Sequence, residues 1–213
     1  MDWKSRGIEL HHGDCRDWLD SVTADAVITD PPYGIAHNTN YTRFTGGLSD
    51  HRNFETPIAG DDEPFDPSPF MRFKKVILWG ANCFSDRLPM GTWLVWCKRR
   101  DNQIGTFMSD CEVAWQKGGH GVYLHRHIWN GFDRESERGK TIHPTQKPVA
   151  LMRWCIERLK LKPGSTIFDP YMGSAPVAQA AIELGHRYIG IEKDAKHFAT
   201  AVKRIESLNM LAA

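Results

Sequence analysis

Asp30, Pro31, Pro32 and Tyr33 stand together directly after a short apolar run, Ala26-Val27-Ile28-Thr29. A carboxylate, a fixed backbone and an aromatic ring at one strand end suit a flat, electron-poor amino group. The exocyclic nitrogen of adenine or cytosine is a weak nucleophile because its lone pair is delocalised into the ring. The Asp30 carboxylate and the Pro31 carbonyl can each accept one hydrogen bond from such an amino group. That turns the lone pair outward, and Asp30 can later take the proton. Tyr33 offers a face on which the base stacks. Taken alone, the segment is equally a plain strand-to-loop turn with an Asp cap, since Asp and Pro are common turn residues.

The elements that position these residues can be read from hydrophobic runs. Ile8 to His11, Ala26 to Thr29, Val76 to Trp79, Trp93 to Trp96 and Glu112 to Trp115 are strand candidates. Pro148 opens a helical pattern in Val149, Met152, Cys155, Ile156 and Leu159. The last third reads as a βαβ unit. Thr166 to Phe168 is a strand, Asp169 to Ala175 a turn, and Pro176 to Leu184 a helix closed by Gly185. Tyr188 to Ile191 is a second strand, and a helix runs from about Asp194 to Leu208. Strands alternating with helices imply a mostly parallel sheet with ligands at the carboxyl ends of its strands. Two stretches lack a period: about 35–70, expected to be a mobile loop, and 117–140, expected to be an insertion.

Composition narrows the class. The chain has 213 residues, 41% hydrophobic and 25% charged, which suits one α/β domain and excludes disordered and fibrous classes. No apolar run nears the roughly 18 residues of a membrane helix, and the first residues do not read as a secretory signal. The expectation is a soluble cytoplasmic protein without a membrane partner. The five cysteines have wide spacing and no Cys-x-x-Cys pair, so neither a disulfide framework nor a metal site is expected. The formal net charge is +1, with acidic residues prevailing from Phe44 to Asp66 and basic ones from Lys98 to Lys147. The basic stretch suits a polyanion, or is ordinary solvated surface.

Three segments in order carry a resemblance to a known family. Asp30-Pro31-Pro32-Tyr33 resembles motif IV of the amino-methyltransferases that act on adenine N6 or cytosine N4 of DNA with S-adenosylmethionine. His143-Pro144-Thr145-Gln146-Lys147-Pro148 resembles the motif that these enzymes place before a cofactor-binding helix. Asp169-Pro170-Tyr171-Met172-Gly173-Ser174 resembles their cofactor motif. The catalytic motif precedes the cofactor motif, as in the beta class. The chain is also similar to small phage-type adenine methyltransferases in Glu112-Val113-Ala114-Trp115 and Trp129-Asn130-Gly131.

The resemblance covers nearly the whole chain and implies a three-layer Rossmann-like α/β fold with a circularly permuted motif order. It implies a catalytic role for Asp30, Pro31, Pro32 and Tyr33. It also implies S-adenosylmethionine contacts from Asp14, Asp30, His143, Thr145, Gln146, Lys147, Asp169, Pro170, Met172, Gly173, Ser174 and Glu192. Asp14 is expected near the cofactor adenine and Glu192 on the ribose hydroxyls. Glu192 lies about 20 residues past the first turn, the spacing at which an acidic residue meets a ribose in dinucleotide folds. Thr145 and Lys147 suit the methionine carboxylate, or serve as a helix cap and a solvated charge. Where the family has Gly-Ser-Gly-Thr, this chain has Gly173-Ser174-Ala175-Pro176, and Ala175 adds a methyl where positive φ favours glycine.

Methyl transfer from a sulfonium is mainly alignment. None of the cysteines sits in a nucleophile motif, which argues against cytosine-C5 chemistry. A base inside a duplex is out of reach, so the target is expected to flip out. Lys98, Arg99, Arg126, His127, Trp129, Arg134 and Arg138 mix basic and aromatic groups and are the candidate DNA contacts. Adenine N6 is the expected target and cytosine N4 the alternative. A non-enzymatic DNA-binding relative with a degraded cofactor loop is a further alternative; RNA or protein glutamine is a more distant one. DNA is the expected partner, with a homodimer plausible by resemblance.

Overall fold

The computed structural model describes residues 3–36, 60–106, 109–129, 133–137 and 146–211. Its strands are β1 (Ile8–His12), β2 (Ala26–Thr29), β3 (Lys75–Trp79), β4 (Gly91–Cys97), β5 (Cys111–Arg126), β6 (Thr166–Asp169) and β7 (Arg187–Glu192). Its α-helices are α1 (Val149–Leu159), α2 (Pro176–Glu183) and α3 (Ala195–Leu211). The strands form one sheet in the order β1-β7-β6-β2-β3-β5-β4. β1, β7, β6, β2 and β3 run parallel, and β3 pairs antiparallel with β5.

The apolar runs lack polar alternation because both faces of the sheet are covered. On one face Ala26, Ile28, Ile77, Trp79 and Ile167 pack with the buried stripes of the three helices. Successive residues point the other way, so Val27, Val76, Leu78 and Phe168 meet Cys15, Val22, Phe70, Phe73 and Phe84. That second face is covered by short 3-10 segments, among them Cys15–Asp17, Ser68–Arg72 and Ala81–Cys83, and not by α-helices among the described residues.

Of the segment expected to be an insertion, residues 117–126 belong to β5. Its first arm runs antiparallel to β4 through Thr92↔Gln116, Trp93↔Trp115 and Val95↔Val113. Its second arm runs parallel to the same strand through Trp93↔Val122, Val95↔Leu124 and Cys97↔Arg126. A strand has two edges, and the first arm lies between β3 and β4. The second arm therefore adds to the outer edge of β4. The reversal between the arms passes through Gly118 and Gly119, whose φ values of 83° and 70° are the left-handed region glycine tolerates. An α/β reading has no template for a strand doubling back around its neighbour. Of the expected mobile loop, 37–59 lie outside the described residues. The described end, 60–70, is packed through buried Asp61, Phe65 and Phe70.

Candidate active site

The sheet order reverses between β6 and β2. From β6 the chain proceeds to β7 on one side, and from β2 to β3 on the other. The carboxyl ends of two such strands leave a crevice. Here they place Asp169 at the end of β6 beside Asp30, which follows β2. Thr29, the last residue of β2, donates its hydroxyl to Asp169 Oδ1 at 2.6 Å and accepts the Tyr171 N–H at 3.3 Å. The Tyr188 hydroxyl donates to Asp169 Oδ2 at 3.1 Å. Burial raises the Asp169 pKa to about 7 against the lowering effect of these donors. Thr29 thus ties the two motif-bearing turns together.

Asp30 is the centre of a charged chain of contacts. The Tyr33 hydroxyl donates to Asp30 Oδ1 at 2.6 Å, and the Lys147 ammonium donates to Asp30 Oδ2. Lys147 also reaches Glu112 Oε2 at 3.1 Å and the Tyr33 hydroxyl at 3.3 Å. Lys98 donates to Glu112 Oε1 at 2.7 Å. Burial penalises the charge on Lys147, but Asp30 and Glu112 more than offset it and hold its pKa well above the ordinary value. Burial likewise opposes ionised Glu112, yet Lys147 and Lys98 bring its pKa down to about 2. Tyr33 is packed face-on where Gly80 carries no side chain: a Cβ there would lie 1.9 Å from Tyr33 Cε1. Buried Asp61 accepts the Tyr33 and Gly34 N–H groups at 2.8 and 2.9 Å, which fixes the turn after Pro32.

A cavity opens beside this chain. Asp30, Gln146, Lys147, Asp169, Met172, Gly173, Ser174 and Val177 line it. Ser174 is buried, and its hydroxyl has no partner among the described residues. Buried hydroxyls are normally paired, so this one marks a place for a polar ligand atom. Pro170 is buried at the foot of the same turn. Ala175 adopts φ 59° and ψ 44° directly before α2, the left-handed conformation its family position calls for. Glu192 accepts the N–H of Gly173 at 2.8 Å and of Asp194 at 2.8 Å, so it braces the turn as well as facing the strand end. Asp14 lies at the end of β1 and pairs with Arg16 at 2.6 Å and Lys193 at 3.0 Å, with its pKa lowered mainly by Arg16.

The structure brings Asp30, Pro31, Tyr33, Lys147 and Asp169 to one crevice, with Asp14 and Glu192 along the same sheet edge. His143, Thr145 and Arg138 lie outside the described residues. Of the candidate DNA contacts, Arg99, His127 and Trp129 are buried. Arg99 donates to the Ser109 carbonyl at 3.3 Å, and His127 meets Ser136 at 2.8 Å. In this arrangement these three side chains pack in and beside the β4–β5 sheet edge. Lys98 belongs to the Glu112 chain of contacts. Arg126 is exposed and pairs with Asp101, and Arg134 lies over the Trp129 ring at 4.3 Å. Thr29, Asp61 and Tyr188 are not singled out by sequence, and Glu112 only as the first residue of a strand candidate and a family-like segment. Glu112 is the one with a visible signal, as the charged residue opening an otherwise apolar run.

Comparison with known proteins agrees with this geometry. A family model described as DNA methylase, of the N6/N4 amino-methyltransferase type, matches residues 115–203. The Type II methyltransferase M.HinfI of Haemophilus influenzae is 34% identical over an alignment of 252 positions, covering 92% of this chain and 67% of that protein. The Type II methyltransferase M2.DpnII of Streptococcus pneumoniae is 37% identical over 86 residues, 38% of this chain and 31% of that one. Among solved structures, an M1.HpyAVI–SAM complex has a TM-score of 0.55 at 22% identity, covering 92% of this chain and 99% of that one. The PvuII DNA methyltransferase, cytosine-N4-specific, has a TM-score of 0.57 at 13% identity, covering 92% and 85%.

Proposed function

Because the chain belongs to the beta-class DNA amino-methyltransferase family, we propose that it transfers a methyl group from S-adenosylmethionine to N6 of a flipped-out adenine in DNA. The observation that carries this reading is the placement of the Asp30 carboxylate beside the cavity. It stands at the strand end where the sheet order reverses, next to Tyr33. The cavity fits the cofactor: the Ser174 hydroxyl lacks a partner among the described residues, and Asp169, Met172 and Gly173 form a turn braced by Glu192. Asp14 and Glu192 at the neighbouring strand ends suit an adenosine moiety. Ser174 and Gln146 suit the polar end.

When bound, S-adenosylmethionine supplies an electrophilic methyl on a good leaving group. The chain's own residues then have to orient the nucleophile. Asp30 and the Pro31 carbonyl accept the two amino hydrogens, so the nitrogen lone pair points away from the base ring. Asp30 receives the proton that the nitrogen sheds, and Tyr33 supports the ring. Tyr33 and Lys147 each take one acceptor site on an Asp30 oxygen, so the amino group either uses a remaining lone pair or displaces one of them.

Adenine is favoured by resemblance, since Asp-Pro-Pro-Tyr is the form typical of adenine enzymes and Ser-Pro-Pro-Tyr of cytosine-N4 enzymes. Nucleoside mass spectrometry on DNA from a methylation-free host expressing the chain tests the reading. The expected product is N6-methyladenine, lost at least about a thousandfold in Asp30→Asn, because the variant can neither accept both the hydrogen bond and the proton nor carry the charge. N4-methylcytosine would replace the target and leave the Asp30 role standing. Undiminished methylation by Asp30→Asn would remove that role.

A further inference from the structure

The charged chain of contacts does not end at Asp30. We propose that Glu112 is a positioning residue for methyl transfer: it shares the Lys147 ammonium with Asp30 and so lets Asp30 exchange that ion pair for the amino group of the target base. The inference rests on the reading of Asp30 as the group that receives the amino hydrogens.

Lys147 is buried and makes two carboxylate contacts, to Asp30 Oδ2 and to Glu112 Oε2 at 3.1 Å. Leaving a buried ammonium without an anion costs several kcal/mol. If Asp30 were its only partner, a base amino group that displaced Lys147 from Oδ2 would strand it. With Glu112 in place, Lys147 stays paired when Asp30 Oδ2 is released. Glu112 is itself held from the other side by Lys98 at 2.7 Å, so its carboxylate is fixed between two ammonium groups. Each participant comes from a different part of the fold. Asp30 and Tyr33 follow β2, Lys98 follows β4, Glu112 is the second residue of β5, Lys147 precedes α1, and Asp169 ends β6. Among the described residues these six are the titratable groups that face the centre, two carboxylates against two ammonium groups with Tyr33 and Asp169 beside them. Glu112 and Lys98 are brought together by strand pairing, which sets Trp96 opposite Glu112, two residues before Lys98.

The sharing has a sign that can be measured. Removing the Glu112 charge leaves Lys147 wholly on Asp30, which makes Asp30 harder to release. Removing the Lys98 charge does the reverse, since Glu112 then draws Lys147 away. The test uses the full-length protein with tritiated S-adenosylmethionine and unmethylated DNA, and follows kcat against pH. Cofactor affinity is measured separately by calorimetry. In Glu112→Gln, kcat is expected to fall ten- to a hundredfold. The acid limb of the profile should move to lower pH, and the Kd for S-adenosylmethionine should stay within about twofold. Glu112→Asp should recover part of kcat. In Lys98→Met the acid limb should move to higher pH.

Acid limbs that move the same way in Glu112→Gln and Lys98→Met, or not at all, would overturn the proposal. So would a Glu112→Gln defect that is uniform across pH and accompanied by lost cofactor binding. An active Asp30→Asn in the same assay would instead show that the reading of Asp30 had failed, whatever the Glu112 variants do.

Discussion

Ala175 holds a left-handed backbone in a fully buried position, with φ 59° and no exposed surface. That conformation costs a non-glycine residue about 1–2 kcal/mol. Ala175→Gly removes this cost, but gives up about 0.8 kcal/mol of buried methyl and about 0.4–1 kcal/mol of chain entropy. The contributions nearly cancel, so stability by urea denaturation should stay within about 1 kcal/mol of the parent chain. Ala175→Val brings a branched side chain to the same φ with no free space, and should lose about 2–4 kcal/mol. The departure from the family's glycine is thus tolerated because alanine is the smallest side chain that could replace it. Ala175→Gly should leave the affinity for S-adenosylmethionine within a fewfold, measured by calorimetry, since the backbone path of the turn is already the glycine-like one.

At the scale of elements, the start of α1 depends on a residue outside the helix. Pro148 offers no side-chain cap, and Glu137 supplies one from a distance. Its Oε1 accepts the Val149 N–H at 2.8 Å, and its Oε2 accepts Gln146 Nε2 at 2.9 Å and faces buried Arg204 at 3.7 Å. Glu137→Ala should cost about 1–3 kcal/mol in urea denaturation, because it leaves buried donors unpaired. It should also weaken cofactor binding, because Gln146 and Lys147 sit on the segment it anchors. The helix itself was legible from its apolar spacing and its proline start, but its cap was not, since sequence distance hides a partner across a turn. The same contrast runs through the sheet. β2, β3, β6 and β7 were legible because two-sided burial makes continuous apolar runs. Cys111–Arg126 was legible only over its first arm. The second arm carries exposed Val122, Tyr123 and Leu124 and follows two glycines, a pattern that reads as loop until β4 provides its edge. Asp30, Lys147 and Asp169 were legible as motif members. The contacts joining them through Thr29 and Glu112 arise only from strand order.

For the molecule as a whole, half-buried Glu112 and buried Asp169 pull the pH dependence of stability in opposite directions. Glu112 falls from an ordinary 4.5 to about 2 in the fold, so its contribution is present above pH 4.5 and is lost as the pH drops towards 2. Asp169 rises from 3.8 to about 7, so its contribution is present below 3.8 and is lost as the pH climbs to 7. Stability from these two groups therefore peaks near pH 4–5, with a slope on either side of at most about 1.4 kcal/mol per pH unit per group. Urea denaturation from pH 3 to 8 should show the decline above pH 5 shrink in Asp169→Asn and the acid decline shrink in Glu112→Gln. Chain order adds a mechanical consequence. β1 crosses from the first part of the chain to pair with β7 over five registered positions, from Ile8↔Tyr188 to His12↔Glu192, on the far side of the strands that carry the cofactor turn. The catalytic half thus clasps the cofactor half from both flanks, with β2 against β6 on one side and β1 against β7 on the other. A protease nick within residues 138–145 should therefore yield two fragments that co-elute as one folded particle. Separately produced halves should reassemble only when the first retains its opening strand.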